Sequence, residues 1–150
     1  MQLNQKESGY VKELKEQEKL CIEKYQKAAG CAADGQLKNL FSDLAQKEQT
    51  HLDSLTQLEQ GTATVPQQGG NAQTPTFRAV YSAQETQEKK NDCYLCTDAL
   101  AGEKHVSALY DTSVFEFRDE TARKLLNHIQ SEEQAHGKMI YDYMAANAMY

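Results

Sequence analysis

The chain writes Glu-Gln-x-His twice, as Glu48-Gln49-Thr50-His51 and as Glu133-Gln134-Ala135-His136, at a constant offset of 85 residues. A glutamate and a histidine three apart share one face of a helix, where a carboxylate and an imidazole can reach the same cation. One such pair is commonplace on a helix surface; two copies in one register ask for a shared cause. Two further glutamates, Glu18 and Glu103, obey the same offset. The six residues together offer four hard carboxylate donors, which can bridge cations, and one imidazole nitrogen for each of two cations. Four carboxylates also balance the charge of two divalent ions. Without metal they are like charges forced together, and burying even one unpaired ion costs several kcal/mol.

The offset belongs to a longer internal repeat. Laying Glu18–His51 on Glu103–His136 without a gap gives eight identities in 34 positions, among them Lys19/Lys104, Tyr25/Tyr110, Asp34/Asp119 and Leu40/Leu125. Chance would give about two at average residue frequencies. Most of the matches are polar, which amphipathic patterning alone does not require.

The elements that must position these residues are helices. Apolar and ligand-type positions recur at three-and-four spacing in four runs, from Val11 to Ala29, Leu37 to Leu58, Leu100 to Phe117 and Leu125 to Tyr143. Residue 33 lies midway between Glu18 and Glu48, and residue 118 midway between Glu103 and Glu133. Asp34 and Asp119 stand there as natural N-caps. Each half is therefore predicted to be an αα-hairpin with its two glutamates level and its histidine one turn further on. Ser82 followed by Glu85 predicts a short extra helix before the third long one.

Both prolines fall in the Gly-, Gln- and Thr-rich stretch 61–76, GTATVPQQGGNAQTPT, the one clear break in the pattern. We expect a single domain over 1–150, made of a hairpin at 7–60, a crossover linker at 61–81 and a second hairpin at 82–147. The fold class is all-α, an antiparallel four-helix bundle with a long crossover between helices 2 and 3. Such a crossover must travel the bundle. A helix of about 26 residues is about 39 Å long, and roughly 16–20 residues at up to ~3.3 Å each can span it. In this bundle four glutamates and two histidines meet at one level. A Glu on each of two helices, with Glu-x-x-His on each of the other two, is the ligand set of carboxylate-bridged di-iron and di-manganese sites. Two divalent ions, iron or manganese, are the expected cofactors; the ligand types do not choose between them.

Composition narrows the partners. The formal charge of −6 and the 25% charged content argue against a nucleic-acid backbone or an anionic membrane surface. No segment approaches membrane-spanning length, and the start MQLNQKESGY has no apolar run of the signal-peptide kind, so a cytoplasmic, soluble protein is expected. Of the four cysteines only Cys93 and Cys96 have CxxC spacing, which disfavours a four-cysteine metal site. With Cys31 they read either as thiols able to pair and pass electrons or as inert small apolar residues. His105, His128, Glu23, Glu116 and Glu132 lie outside the six-residue pattern and read as surface, rim or ion-paired residues.

The pattern Glu18, Glu48-x-x-His51, Glu103, Glu133-x-x-His136 resembles the ferritin-like superfamily, near rubrerythrins, bacterioferritins and manganese catalases. Within it, residues 98–150, with GEKHVSALYDT and RKLLNHIQSEEQAH, also resemble the spore coat protein F family. The first resemblance implies redox chemistry on a small oxidant, either peroxide reduction or ferrous oxidation by dioxygen, with Glu48 and Glu133 as bridging ligands. The second implies a structural component of the spore coat, in which any metal is structural or vestigial. Tyr25 and Tyr110, two turns beyond Glu18 and Glu103, are candidates to hydrogen-bond the ligand carboxylates, or else core tyrosines satisfied elsewhere. A homo-oligomer is open on this reading.

Overall fold

The computed structural model describes residues 1–67 and 74–150; residues 68–73, inside the crossover expected at 61–81, lie outside the described residues. Four helices carry most of the chain: α1 (Gln5–Cys31), α2 (Gly35–Glu59), α3 (Gln87–Val114) and α4 (Glu120–Ala146). Among the described residues there is no strand, and no helix is long and apolar enough to cross a membrane.

Each helix starts at a side chain that accepts one of its otherwise unpaired N–H groups. Asn4 accepts from the Glu7 amide at 2.8 Å while the Glu7 carboxylate accepts from the Asn4 amide at 2.8 Å, a reciprocal capping box. Asp34 and Asp119 cap α2 and α4, accepting from the amides of Gln36 at 3.1 Å and Ala122 at 2.8 Å. The expected short helix after Ser82 does not form. Ser82 turns its hydroxyl to the Gln84 amide at 3.2 Å, and Glu85 reaches forward to Lys89 Nζ at 3.0 Å. Just upstream, the Val80 and Tyr81 amides both donate to the Asn147 side chain, which holds the chain against the end of α4. Helical structure resumes only at Thr86, which caps α3 through the Lys89 amide at 3.1 Å.

α1 and α2 form one hairpin and α3 and α4 the other, with α1 packed on α3 and α2 on α4. Tyr25 meets Glu103 while Tyr110 meets Glu18, so α1 and α3 run antiparallel. His51 meets Glu133 while His136 meets Glu48, so α2 and α4 do too. α2 and α3 therefore run the same way, and the connection between them crosses the length of the bundle. Its described ends show this. Ala63 and Val65 pack on the apolar cluster at one end, and Phe77 packs at the other, edge-on to Tyr143 with ring centroids 5.5 Å apart.

The interior is divided. One apolar core gathers Val11, Leu14, Leu55, Leu58, Val106 and Leu125 with their neighbours, the other Leu37, Phe41, Leu44, Cys96, Ile140 and Tyr143 with theirs. Between the two lies a layer of buried carboxylates and imidazoles.

The twofold relation of the hairpins reaches beyond the residues aligned above. Asp92, fully buried, accepts from the amides of Ala33 at 2.8 Å and Asp34 at 3.0 Å and from the Tyr81 hydroxyl at 2.6 Å. Glu7 stands 85 residues before it and accepts from the amide of Arg118 at 3.0 Å, 85 residues after Ala33. Each first helix thus clamps the turn of the opposite hairpin. Asp92→Ala would orphan two loop amides and a hydroxyl at once. We expect it to lower stability by about 3 kcal/mol, given the worth of hydrogen bonds to charged groups and the cost of buried unpaired ones. A urea midpoint shifted by less than a third of that amount would show the clamp to be dispensable.

Candidate metal centre

α1 brings Glu18 to the central layer, α3 brings Glu103, and α2 and α4 bring Glu48 with His51 and Glu133 with His136. All six are buried, none more than 4% exposed. They form two overlapping groups, Glu18–Glu48–His51–Glu133 and Glu48–Glu103–Glu133–His136, in each of which one potential ligand atom per residue lies within 4.8 Å of the others. Glu48 and Glu133 belong to both groups, the position a bridging carboxylate takes. His51 Nδ1 is 2.8 Å from Glu133 Oε1 and 3.3 Å from Glu48 Oε2, and His136 Nδ1 is 2.8 Å from Glu48 Oε1. The two imidazoles lie nearly parallel, ring centroids 5.7 Å apart, both turning Nδ1 into the layer.

Tyr25 and Tyr110 stand behind the outer glutamates, each across the hairpin boundary. The Tyr110 hydroxyl donates to Glu18 Oε1 at 2.5 Å, and the Tyr25 hydroxyl donates in a short bond to Glu103 Oε1. Burial, reinforced by the adjoining glutamate, pushes both phenols well up, so they remain donors. Such a bond fixes which oxygen of each carboxylate is left for a ligand.

Ionisation follows from burial and crowding. Burial drives Glu18 well above the usual carboxylate range, with Glu48 and Glu133 adding to it. Burial, only partly opposed by His136, pushes Glu103 up to about 9. At Glu48 and Glu133 burial acts upward too, but the hydrogen bonds they receive, from both imidazoles and from Glu18 or Glu103, outweigh it and hold them low. Burial alone would lower the imidazoles. The carboxylates around them win, raising His51 to about 12 and His136 to about 11. Free of metal, the layer is thus neutral through protons: one each on Glu18, Glu103, His51 and His136, against two anions.

The donor set suits a pair of hard divalent cations. Glu18 Oε2, Glu103 Oε2 and Glu133 Oε2 are buried and accept no N–H or hydroxyl hydrogen bond, so only protons shared among the glutamates, or a cation, can meet them. Two ions would replace four protons with the same charge. Two approaches reach the layer. A cleft of about 1110 Å³ between α2 and α4, reaching Pro66 and Phe77 of the crossover, has the buried His136 in its wall beside Asp43, Lys47 and Glu132. A cavity of about 30 Å³ touches Glu103 from the α1–α3 side beside Cys21 and Gly102.

Among the remaining candidates, His105 is exposed and Glu23 and Glu116 pair with Lys27 and Lys6 at the surface. All four cysteines are free; Cys96 is fully buried in the second core and Cys31 is exposed. Glu132 exceeds its sequence reading. It sits half-buried outside the layer with Oε2 3.5 Å from His51 Nε2, and it also contacts His128. The His51 contact holds its carboxyl down at about 2. Its spacing four after His128 was the only hint, and a common one. Glu7 and Asp92 were also missed, although the 85-residue offset carried past Glu18 pairs them.

Half of the ligand-type residues, Glu103, Glu133 and His136, sit on the second hairpin, where the sequence is also similar to a known family. Residues 91–150 match the Coat F domain. The Coat F match covers most of α3 and all of α4, and it accords with the likeness to the spore coat protein F family read from residues 98–150. No curated protein and no solved structure matches the chain.

Proposed function

We propose that this protein is a ferritin-like, dinuclear metal-binding protein in which Glu18, Glu48, His51, Glu103, Glu133 and His136 hold two iron or manganese ions. The observation that carries the reading is the central layer: six buried donors from four helices, twofold related, with three carboxylate oxygens that no N–H or hydroxyl group meets. Glu48 and Glu133 would bridge, and Glu18 with His51 and Glu103 with His136 would complete the two positions. Bound there, the metals would supply binding, polarisation and one-electron chemistry for a small oxidant, peroxide or dioxygen. The chain's own part is to fix the carboxylates through Tyr25 and Tyr110, to keep bulk water out with an apolar core on either side, and to accept or return protons at the displaced carboxyl and imidazole positions. The cleft beside His136 would admit a small solute.

The Coat F match favours a second reading, a spore-coat component in which the bundle is a packing unit and the metals are structural. Both readings share the metal layer and differ in turnover. Protein purified without chelator should carry about two Fe or Mn ions per chain by elemental mass spectrometry, and His51→Ala/His136→Ala should carry close to none. Metal-loaded protein that consumes peroxide or oxygen supports the redox reading. Loaded protein that is inert, yet self-associates or localises to a spore layer, supports the structural one. Wild-type protein that takes up no metal after anaerobic reconstitution would sink the dinuclear reading.

A further inference from the structure

The two metal positions look alike from inside the layer and differ behind it. The outward nitrogen of His51 faces Glu132 Oε2 at 3.5 Å, and Glu132 also contacts His128. His51 Nε2 is buried and makes no hydrogen bond of good geometry, so Glu132 is the group that meets its charge. The twofold counterpart of Glu132, 85 residues earlier, is Lys47, and that of His128 is Asp43. Lys47 is exposed and lines the α2–α4 cleft together with His136. Every close carboxylate contact of His136 is made by Nδ1; its Nε2 has none among the described residues. One imidazole is therefore backed directly by a carboxylate, while the other has no anion on its outward nitrogen and borders a cleft whose lining holds Lys47 as well as Asp43 and Glu132.

We propose that the two metal positions are unequal, the His51 position binding a divalent cation more tightly than the His136 position because Glu132 backs the first imidazole and Lys47 stands in the matching place behind the second. A carboxylate on the far nitrogen of a ligating histidine fixes the ring and raises its basicity, and its removal typically costs about 10–100-fold in affinity. A nearby ammonium acts in the opposite direction on an incoming cation. Glu132 is a positioning residue: it acts through His51 and reaches no metal itself. The proposal rests on the dinuclear reading above and adds an order of filling to it.

Cobalt(II) titration of metal-free full-length protein, followed by visible absorption and against a competing chelator, tests it. The wild type should fill in two steps, the first at least about tenfold tighter than the second. His136→Ala should keep the tight step and His51→Ala only the weak one. Glu132→Gln should weaken the first step about 10–100-fold and leave the second nearly unchanged. Lys47→Glu should strengthen the second and bring the two together. Both charge substitutions lie outside the cores, and circular dichroism confirms the fold before titration. Two equal steps in the wild type, or a Glu132→Gln variant that weakens both steps alike, would overturn the proposal. A wild type that binds no cobalt would instead overturn the dinuclear reading beneath it, a different result from two equal steps.

Discussion

Stripped of metal at pH 8, the protein is expected to melt about 20 °C lower than when loaded. Each ion present at a thousandfold excess over its dissociation constant adds about 4 kcal/mol to the folded state. For a domain of this size each kcal/mol moves the midpoint by roughly 2–4 °C. The gap should narrow in mild acid, because protons do in the free layer what metal does in the loaded one. Glu103 is pushed up to about 9 and Glu18 well above its usual range, so the folded state holds their protons after the unfolded chain has lost them near 4.5. The imidazoles, at about 12 and about 11, keep theirs after the unfolded chain releases them near 6.5. For all four groups the folded state binds the extra proton, so metal-free stability falls as pH rises from about 4.5 through 9 and beyond. Glu48 and Glu133 are held low and have the opposite sign: their contribution is present above 4.5 and lost below it. The metal-free optimum therefore lies near pH 4.5. Loading at pH 7 should release about four protons per chain, measurable by pH-stat. Metal-free protein equally stable at pH 5.5 and 8.5 would contradict this account.

The second large effect concerns Glu48 and Glu133, the two carboxylates common to both halves of the layer. Changing both to glutamine keeps shape and an oxygen for each imidazole nitrogen but removes two negative charges. Two divalent ions would then face two carboxylates, and uptake should fall from about two ions per chain to less than about 0.2. The fold should survive. In the metal-free layer these two anions balance the His51 and His136 imidazoliums, and removing one partner of a buried pair typically costs about 3–5 kcal/mol unless the ring gives up its proton. We expect the double variant without metal to fold but to melt below metal-free wild type at pH 8. Retention of both ions by this variant would remove Glu48 and Glu133 from the bridging role. Collapse of the fold would mean that the anions, and not the metal, hold the layer.

The bundle was legible because helical spacing is a local property. Leu40, Leu44, Leu55 and Leu58 announce a buried face whatever it packs on, and Asp34 and Asp119 mark where helices begin. That the carboxylates and imidazoles meet in one layer was legible for a different reason: Glu48/His51 and Glu133/His136 repeat in register, and a repeat carries long-range information that periodicity lacks. What stayed hidden depends on neighbours across the bundle. Tyr25 pairs with Glu103 and not with Glu18 of its own helix, a choice made by α1 packing on α3. Asp92 stands in a polar helix start with no apolar spacing to mark it, yet it is fully buried because the turn at Ala33 and Asp34 closes over it. The short helix expected after Ser82 failed because Asn147, 65 residues later, holds the preceding amides. The backing of His51 by Glu132 needs α2 and α4 side by side before the two residues have any relation.

The divided interior has a mechanical meaning. All four helices run through both apolar cores, but the side chains of one core do not interlock with those of the other across the polar layer. Without metal the molecule is two short bundles end to end, joined by continuous backbone and by protons shared among a few carboxylates, and either end can loosen while the other stays packed. Two ions at the middle, as proposed, would pin every helix at the same height to a common point. They would act as a rivet, turning two weakly coupled cooperative units into one.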